Sequence, residues 1–192
     1  MFRTAALLAV LGCCSAAVAL AEEPRPSALP SPKAAEAIRL LDATELYDRQ
    51  VGFLRLEALR EPATLEAIKR YLDDRNPEVR AYSLRAVAAI EGVGAIPLLL
   101  ERLRRDRAPS ARRAALLGLE PLQAQDPQIL PAFIAALKER STEIRITAVD
   151  IVNRIDDPRA REAIAERHKR ERRRDVRRLL WHIRGEQPSP QR

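Results

Sequence analysis

Between Arg167 and Arg178 the chain carries eight basic residues, Arg167, Lys169, Arg170, Arg172, Arg173, Arg174, Arg177 and Arg178, against Glu171 and Asp175. The formal charge of the whole chain is +7, so this run of twelve residues holds nearly all the excess. A field of that sign attracts an anionic partner: an acidic protein, an anionic lipid or polysaccharide, or nucleic acid. It serves equally as a solvated cap. Trp181 is the one aromatic residue close by, which argues against nucleic acid, whose bases stack on rings. Residues for bond-making chemistry are sparse. The two histidines, His168 and His182, are fourteen apart and fall short of a four-ligand zinc pattern. The six glycines are scattered and build no phosphate loop. Asp73-Asp74 and Asp156-Asp157 flank turns and prolines, where helix caps explain them. Both cysteines, Cys13 and Cys14, fall in an apolar N-terminal run. The sequence therefore predicts a non-enzymatic protein with no metal and no cofactor.

The elements that must carry these residues repeat. Val79-Arg80, Ala111-Arg112, Ile144-Arg145 and Val176-Arg177 start at intervals of 32, 33 and 32 residues. Each opens a stretch with apolar residues at fixed later offsets: Leu84 and Val87, Leu116 and Leu119, Val149 and Val152, then Trp181 with Arg184. A looser fifth copy opens at Val51, with Leu56 and Leu59. A period of this size means a stacked array, each unit burying its apolar face against its neighbours. Upstream of the openers, Leu65, Ile68 and Leu72, then Ile96, Leu99, Leu100 and Leu103, then Leu130, Phe133, Ile134 and Leu137 recur at helical spacing. Asn76-Pro77, Ala108-Pro109 and Ser141-Thr142 separate first from second helices, Ser141 supplying a cap. Asp126-Pro127 and Asp157-Pro158 open new ones. No segment alternates long enough to argue a strand. The reading is all-α, an α-solenoid of about five helical hairpins. Helices are predicted at 33–48, 50–60, 63–73, 77–91, 94–106, 109–120, 127–139, 142–154, 158–170 and 173–184.

The pattern resembles the HEAT repeat family, particularly the short bacterial form shared with phycobilin-lyase-type repeats. The resemblance rests on Asn76-Pro77-Glu78-Val79-Arg80 with Ala86-Val87, on Ala111-Arg112 with Ala115 and Gly118-Leu119, and on Ile144-Arg145 with Ala148 and Ile151-Val152. It covers residues 62–184 well and 33–61 loosely. It implies an interaction scaffold; a few members are enzymes. The His-Glu pairs of the family's iron hydroxylases are missing, and no glycosylase set maps onto this chain. An acidic residue stands six before each arginine: Asp74 before Arg80, Asp106 before Arg112, Glu139 before Arg145, Glu171 before Arg177. The resemblance implies that these pairs bridge the hairpin turn and the next repeat as a ladder, at a half-exposed rim where each is weak. Ser83, Ala115 and Ala148 are small enough to let hairpins approach; the position reads Leu180 in the last copy and Arg55 in the first.

Residues 1–21 read as a secretory signal peptide: Arg3, an apolar run from Ala5 to Ala21, and Ala19-Leu20-Ala21 as a cleavage site. Val10-Leu11-Gly12-Cys13 loosely matches a lipoprotein box, and an uncleaved anchor is the other competitor. Residues 22–32 read as a proline-rich linker and 185–192 as a disordered tail. The expectation is thus an exported protein, periplasmic or secreted, monomeric, without a transmembrane segment after processing. It would bind a protein or an anionic envelope component. The second helices are expected to line a concave binding face through Arg85, Leu117, Asp150 and His182. The alternatives are a cytoplasmic nucleic-acid-binding HEAT protein, or an accessory or lyase-type HEAT protein.

Overall fold

The computed structural model describes residues 29–184, and the expected signal peptide, most of the linker and the tail lie outside them. Among the described residues there are ten α-helices and no strand. They are α1 (Pro32–Leu40), α2 (Leu46–Leu59), α3 (Leu65–Lys69), α4 (Pro77–Glu91), α5 (Ile96–Arg105), α6 (Pro109–Leu119), α7 (Ile129–Ala136), α8 (Thr142–Asn153), α9 (Pro158–Arg170) and α10 (Arg174–Arg184). Consecutive helices pair into five hairpins, and the second helices α2, α4, α6, α8 and α10 pack on one another in chain order. This is the α-solenoid that the period demands.

Local chemistry explains the helix starts. Asn76 accepts from the Glu78 amide at 3.0 Å and Asp157 from the Arg159 amide at 2.7 Å, each with proline following. The side chains satisfy donors that a helix start otherwise leaves open. Ser31, inside the stretch expected as linker, does the same for α1 and is itself tied to Glu61. Ser141 makes no side-chain cap bond; the Glu139 carboxylate takes its amide instead. Asp126 closes a short turn on Gln128, and α7 starts only at Ile129.

The predicted helices at 33–48 and 50–60 are wrong at their junction. The chain breaks at Leu41–Glu45, where Arg49 Nε donates to the Leu41 carbonyl at 2.9 Å and Tyr71 donates its hydroxyl to Asp42. The first repeat therefore opens at Asp48-Arg49, not at Val51. Phe53 and Leu56, both fully buried, take the places of Leu84 and Val87. The small position in this copy is Gly52 rather than Arg55. A Cβ there would lie 2.9 Å from the Ala37 carbonyl oxygen and 3.0 Å from Leu40 Cβ.

The core follows the repeat. Leu84, Leu116 and Val149 at one offset and Val87, Leu119 and Val152 at the next are all buried. Residues Pro77–Arg105 contain a stretch of mean hydropathy 1.6 that is apolar and long enough for a membrane span. They reverse at Gly92, whose φ of 56° suits a residue without Cβ, and fold as α4 and α5 with Leu84, Leu99 and Leu100 in the core. Gly52→Val should destabilise by roughly 1–3 kcal/mol, because backbone stands in the way. Gly118→Ala should cost much less: its Cβ meets Ala88 Cβ at 3.0 Å and yielding Leu99 methyls at 3.3 Å, against a gain of about 1 kcal/mol in helix propensity. Urea titration of the two variants checks the order.

Candidate functional site

A ladder of ion pairs runs along the stack. Arg80 grips Asp106 with Nε and Nη2 at 3.0 and 2.8 Å, Arg112 grips Glu139 at 2.9 and 3.0 Å, and Arg145 grips Glu171 at 3.0 and 3.4 Å. Arg49 reaches Asp74 at 2.7 Å. Each arginine takes the carboxylate of the following repeat. It meets the acid six residues before it only through that residue's carbonyl, at 2.9 Å in all three regular rungs. Nor is the ladder a half-exposed rim. The Arg145 and Glu171 side chains are 8% and 1% exposed. Burial pushes the Glu171 carboxyl up, but the Arg173 amide and the Arg167 and Arg145 guanidinia outweigh it and hold it at about 2. Asp74, Asp106 and Glu139 are likewise held below the ordinary carboxylate range: burial raises each, and an arginine from the preceding repeat with a capped amide more than offsets it.

The basic run divides in two. At the end of α9, Arg167 is locked to Glu171, while Lys169 and Arg170 engage Glu166 at 3.8 and 2.7 Å. Arg173 sits 3.9 Å from Asp175. Arg172, Arg174 and Arg178 are exposed and, among the described residues, meet no carboxylate. Arg177 lies over the Trp181 ring, 5.3 Å from its centroid. His168 packs against Trp181 with ring centroids 6.3 Å apart, and His182 is exposed on the same helix. Among the described residues no group of three or more histidines, cysteines or carboxylates is arranged to hold a metal.

Two of the cavities among the described residues combine apolar and charged lining and touch residues marked by the sequence. One of about 350 Å³ lies between α7 and α9, with Ile134, Leu137 and Ala163 as its apolar surface. Lys138, Arg159, Arg167 and Arg170 stand around it with Glu162 and Glu166. Sequence reading marked Arg167 and Arg170 but missed Lys138, in the turn after α7, and Arg159, at the start of α9, both outside the basic run. The other, about 450 Å³, brings together two of the four residues expected on a shared face, Arg85 and Leu117, with Glu57, Arg60 and Gly118. Arg85 is paired to Glu57 at 3.1 Å. Asp150, expected on the same face, is held by Arg154, which also reaches Glu120. Neither Asp150 nor His182 lines this cavity.

Stacked hairpins joined by an arginine-carboxylate ladder define a helical-repeat scaffold. The model of HEAT repeats matches residues 34–120 and 96–181, and the chain belongs to that family. A stretch of 61 residues is 49% identical to the phycobilisome maturation protein of Synechococcus elongatus, covering 32% of this chain and 29% of that one. The bilin biosynthesis protein RpcF of a Synechococcus species is 31% identical over 105 residues, 51% of this chain and 48% of its own. The phycocyanobilin lyase subunit beta of a Nostoc species is 48% identical over 48 residues, 25% and 24% of the two chains. The chain thus spans between about a quarter and a half of the curated relatives it matches. The solved complex of CpcE and CpcF of phycocyanin lyase from Nostoc superposes with a TM-score of 0.65 at 22% identity, over 79% of this chain and 97% of that one. It has the same fold.

These relatives overturn three expectations. The reading of an exported, periplasmic or secreted scaffold rested on residues 1–21, outside the described residues; the sequence that does match is shared with a phycobilisome maturation protein, a bilin biosynthesis protein and a phycocyanobilin lyase subunit. The non-enzymatic reading falls to relatives that are lyase and bilin-biosynthesis proteins. It assumed that catalysis needs a visible nucleophile, whereas a scaffold that orients two reactants accelerates their reaction without one. With these goes the envelope scaffold as the main function.

Proposed function

We propose that this chain is a lyase-type HEAT protein that holds an open-chain tetrapyrrole for attachment to, or release from, a protein thiol. The observation that carries this reading is the 49% identity over 61 residues with a phycobilisome maturation protein. The groove between α7 and α9 suits such a ligand. Ile134, Leu137 and Ala163 offer apolar surface to the conjugated pyrroles, while Lys138, Arg159 and Arg170 face the propionate carboxylates. Cys13 and Cys14 are the only cysteines, both far from the repeats in sequence, so the reacting thiol is assigned to a separate acceptor protein. Thiolate attack on an exocyclic double bond forms the C–S bond, breaks the π bond and places a proton on the neighbouring carbon. The scaffold's share of that chemistry is to hold pigment and acceptor in reach.

Titrating the full chain with phycocyanobilin and following the visible absorption band tests the reading. A saturable shift is expected, weakened about tenfold or more when Lys138 and Arg170 are both changed to Glu, a loss of one 1.4 kcal/mol step or greater. Arg85→Glu on the other cavity should leave it unchanged. Pigment that binds equally well to the double variant, or not at all to the wild type, overturns the proposal.

A further inference from the structure

We propose that copies of this chain associate head to tail, with Arg177 of one copy engaging Asp42 of the next as a continuation of the ladder. The argument starts from the regularity of the rungs. Arg80, Arg112 and Arg145 each donate to two carbonyls of their own hairpin turn and to both oxygens of the next repeat's acid. Arg177 occupies the same place in the fifth repeat. Among the described residues its guanidinium has no carboxylate, and its Nε is buried without a hydrogen-bond acceptor. The Trp181 face holds it at 5.3 Å. A buried donor without an acceptor is costly, and a carboxylate is the group the other rungs supply.

The first hairpin carries the complement. Asp42 stands in its turn, seven residues before Arg49 where the other ladder acids stand six before their arginines, and next to the Leu41 carbonyl that accepts from Arg49 Nε. Its carboxylate is exposed and accepts the Tyr71 hydroxyl; among the described residues no arginine grips it. Glu45 and Asp48 beside it are exposed too, opposite in sign to Arg172, Arg174 and Arg178 at the other end. Leu46, Tyr47 and Leu54, three of the exposed large apolar side chains, also belong to this hairpin, with Tyr47 73% exposed. The turn of the first hairpin is acidic with exposed apolar side chains beside it, and the other end of the stack is basic with an open rung. A contact between unlike ends is heterologous and closes into a ring or extends into a filament. It replaces the expected monomer, and it stands independently of pigment binding.

Sedimentation velocity of the full chain from about 1 µM to about 1 mM covers the range of weak specific association. The sedimentation coefficient is expected to rise with concentration and to fall as salt screens the contact. Arg177→Glu and Asp42→Arg should each weaken association about tenfold or more, and the two together in one chain should restore it. Asp42→Asn, which keeps an acceptor for Tyr71, should weaken it as well; helical dichroism of every variant confirms folding. A wild type that stays monomeric over the whole range, or a double variant that does not recover, overturns the proposal.

Discussion

Glu171→Ala is expected to lower stability by roughly 3–5 kcal/mol, because it strands a buried charge rather than merely removing a contact. Glu171 is 1% exposed and shared by Arg145 and Arg167, whose side chains are 8% and 17% exposed. For a domain of this size that is a fall in melting temperature of about 10 °C or more. Glu171→Gln tests the electrostatic part, since it keeps the shape and an acceptor and loses the charge. The pH dependence has a definite sign. The carboxyl is held at about 2 in the fold against an ordinary value of 4.5, so its contribution is complete above about 4.5 and is lost as the pH falls toward 2. The stability gap between wild type and Glu171→Gln should therefore narrow across that window, where the protonated acid comes to resemble the amide. A gap that stays constant from pH 7 to pH 3 would sink the assignment.

Much of this architecture is legible from spacing alone, and what is not has physical reasons. The ladder arginines and the ladder acids can both be picked out. Their partnership cannot, because the acid six residues before Arg145 offers its carbonyl while the acid 26 residues after it offers its carboxylate. The first repeat was misplaced by three residues because its opener is the polar Asp48 and the nearby Val51 is apolar. Gly52, Phe53 and Leu56 at the small and apolar offsets from Arg49 were the signal that could have fixed it. The basic run illustrates a different limit. Counting charges gives an excess, yet Arg167, Lys169 and Arg170 are engaged by carboxylates on their own side of the hairpin, which leaves Arg172, Arg174, Arg177 and Arg178 as the portion without a close carboxylate among the described residues. The α7–α9 groove was hidden because its walls come from two repeats. A repeat pattern reports what packs, and the surface residues that decide function obey no period.

Val149→Asp should be the most damaging single change in the stack. Val149 is fully buried on α8, in the layer of second helices. Arg145, one turn earlier on α8, is already committed to Glu171, so an aspartate there must either stay ionised in an apolar site or fold only when protonated. A carboxyl pushed up by three units or more costs about 4 kcal/mol at neutral pH, on top of the lost packing, out of a total that is typically 5–15 kcal/mol. The variant should be largely unfolded at pH 7. It should regain helix as the pH falls toward 5, because a carboxyl raised in the fold destabilises only where the unfolded chain is ionised. Wild type, governed by its depressed ladder acids, has no such gain. Val149→Ala separates the two effects, since it should destabilise by a smaller amount that does not change with pH. Dichroism at 222 nm across that pH range reads all three chains. In a stack where each repeat leans on its neighbours, the helix lost by Val149→Asp should extend to α7, α9 and α10. The next residue along α8 is already Asp150, exposed and paired with Arg154 at 2.9 Å. The charge is harmless at that position because it stays in water, and one step of the helix carries it into the core.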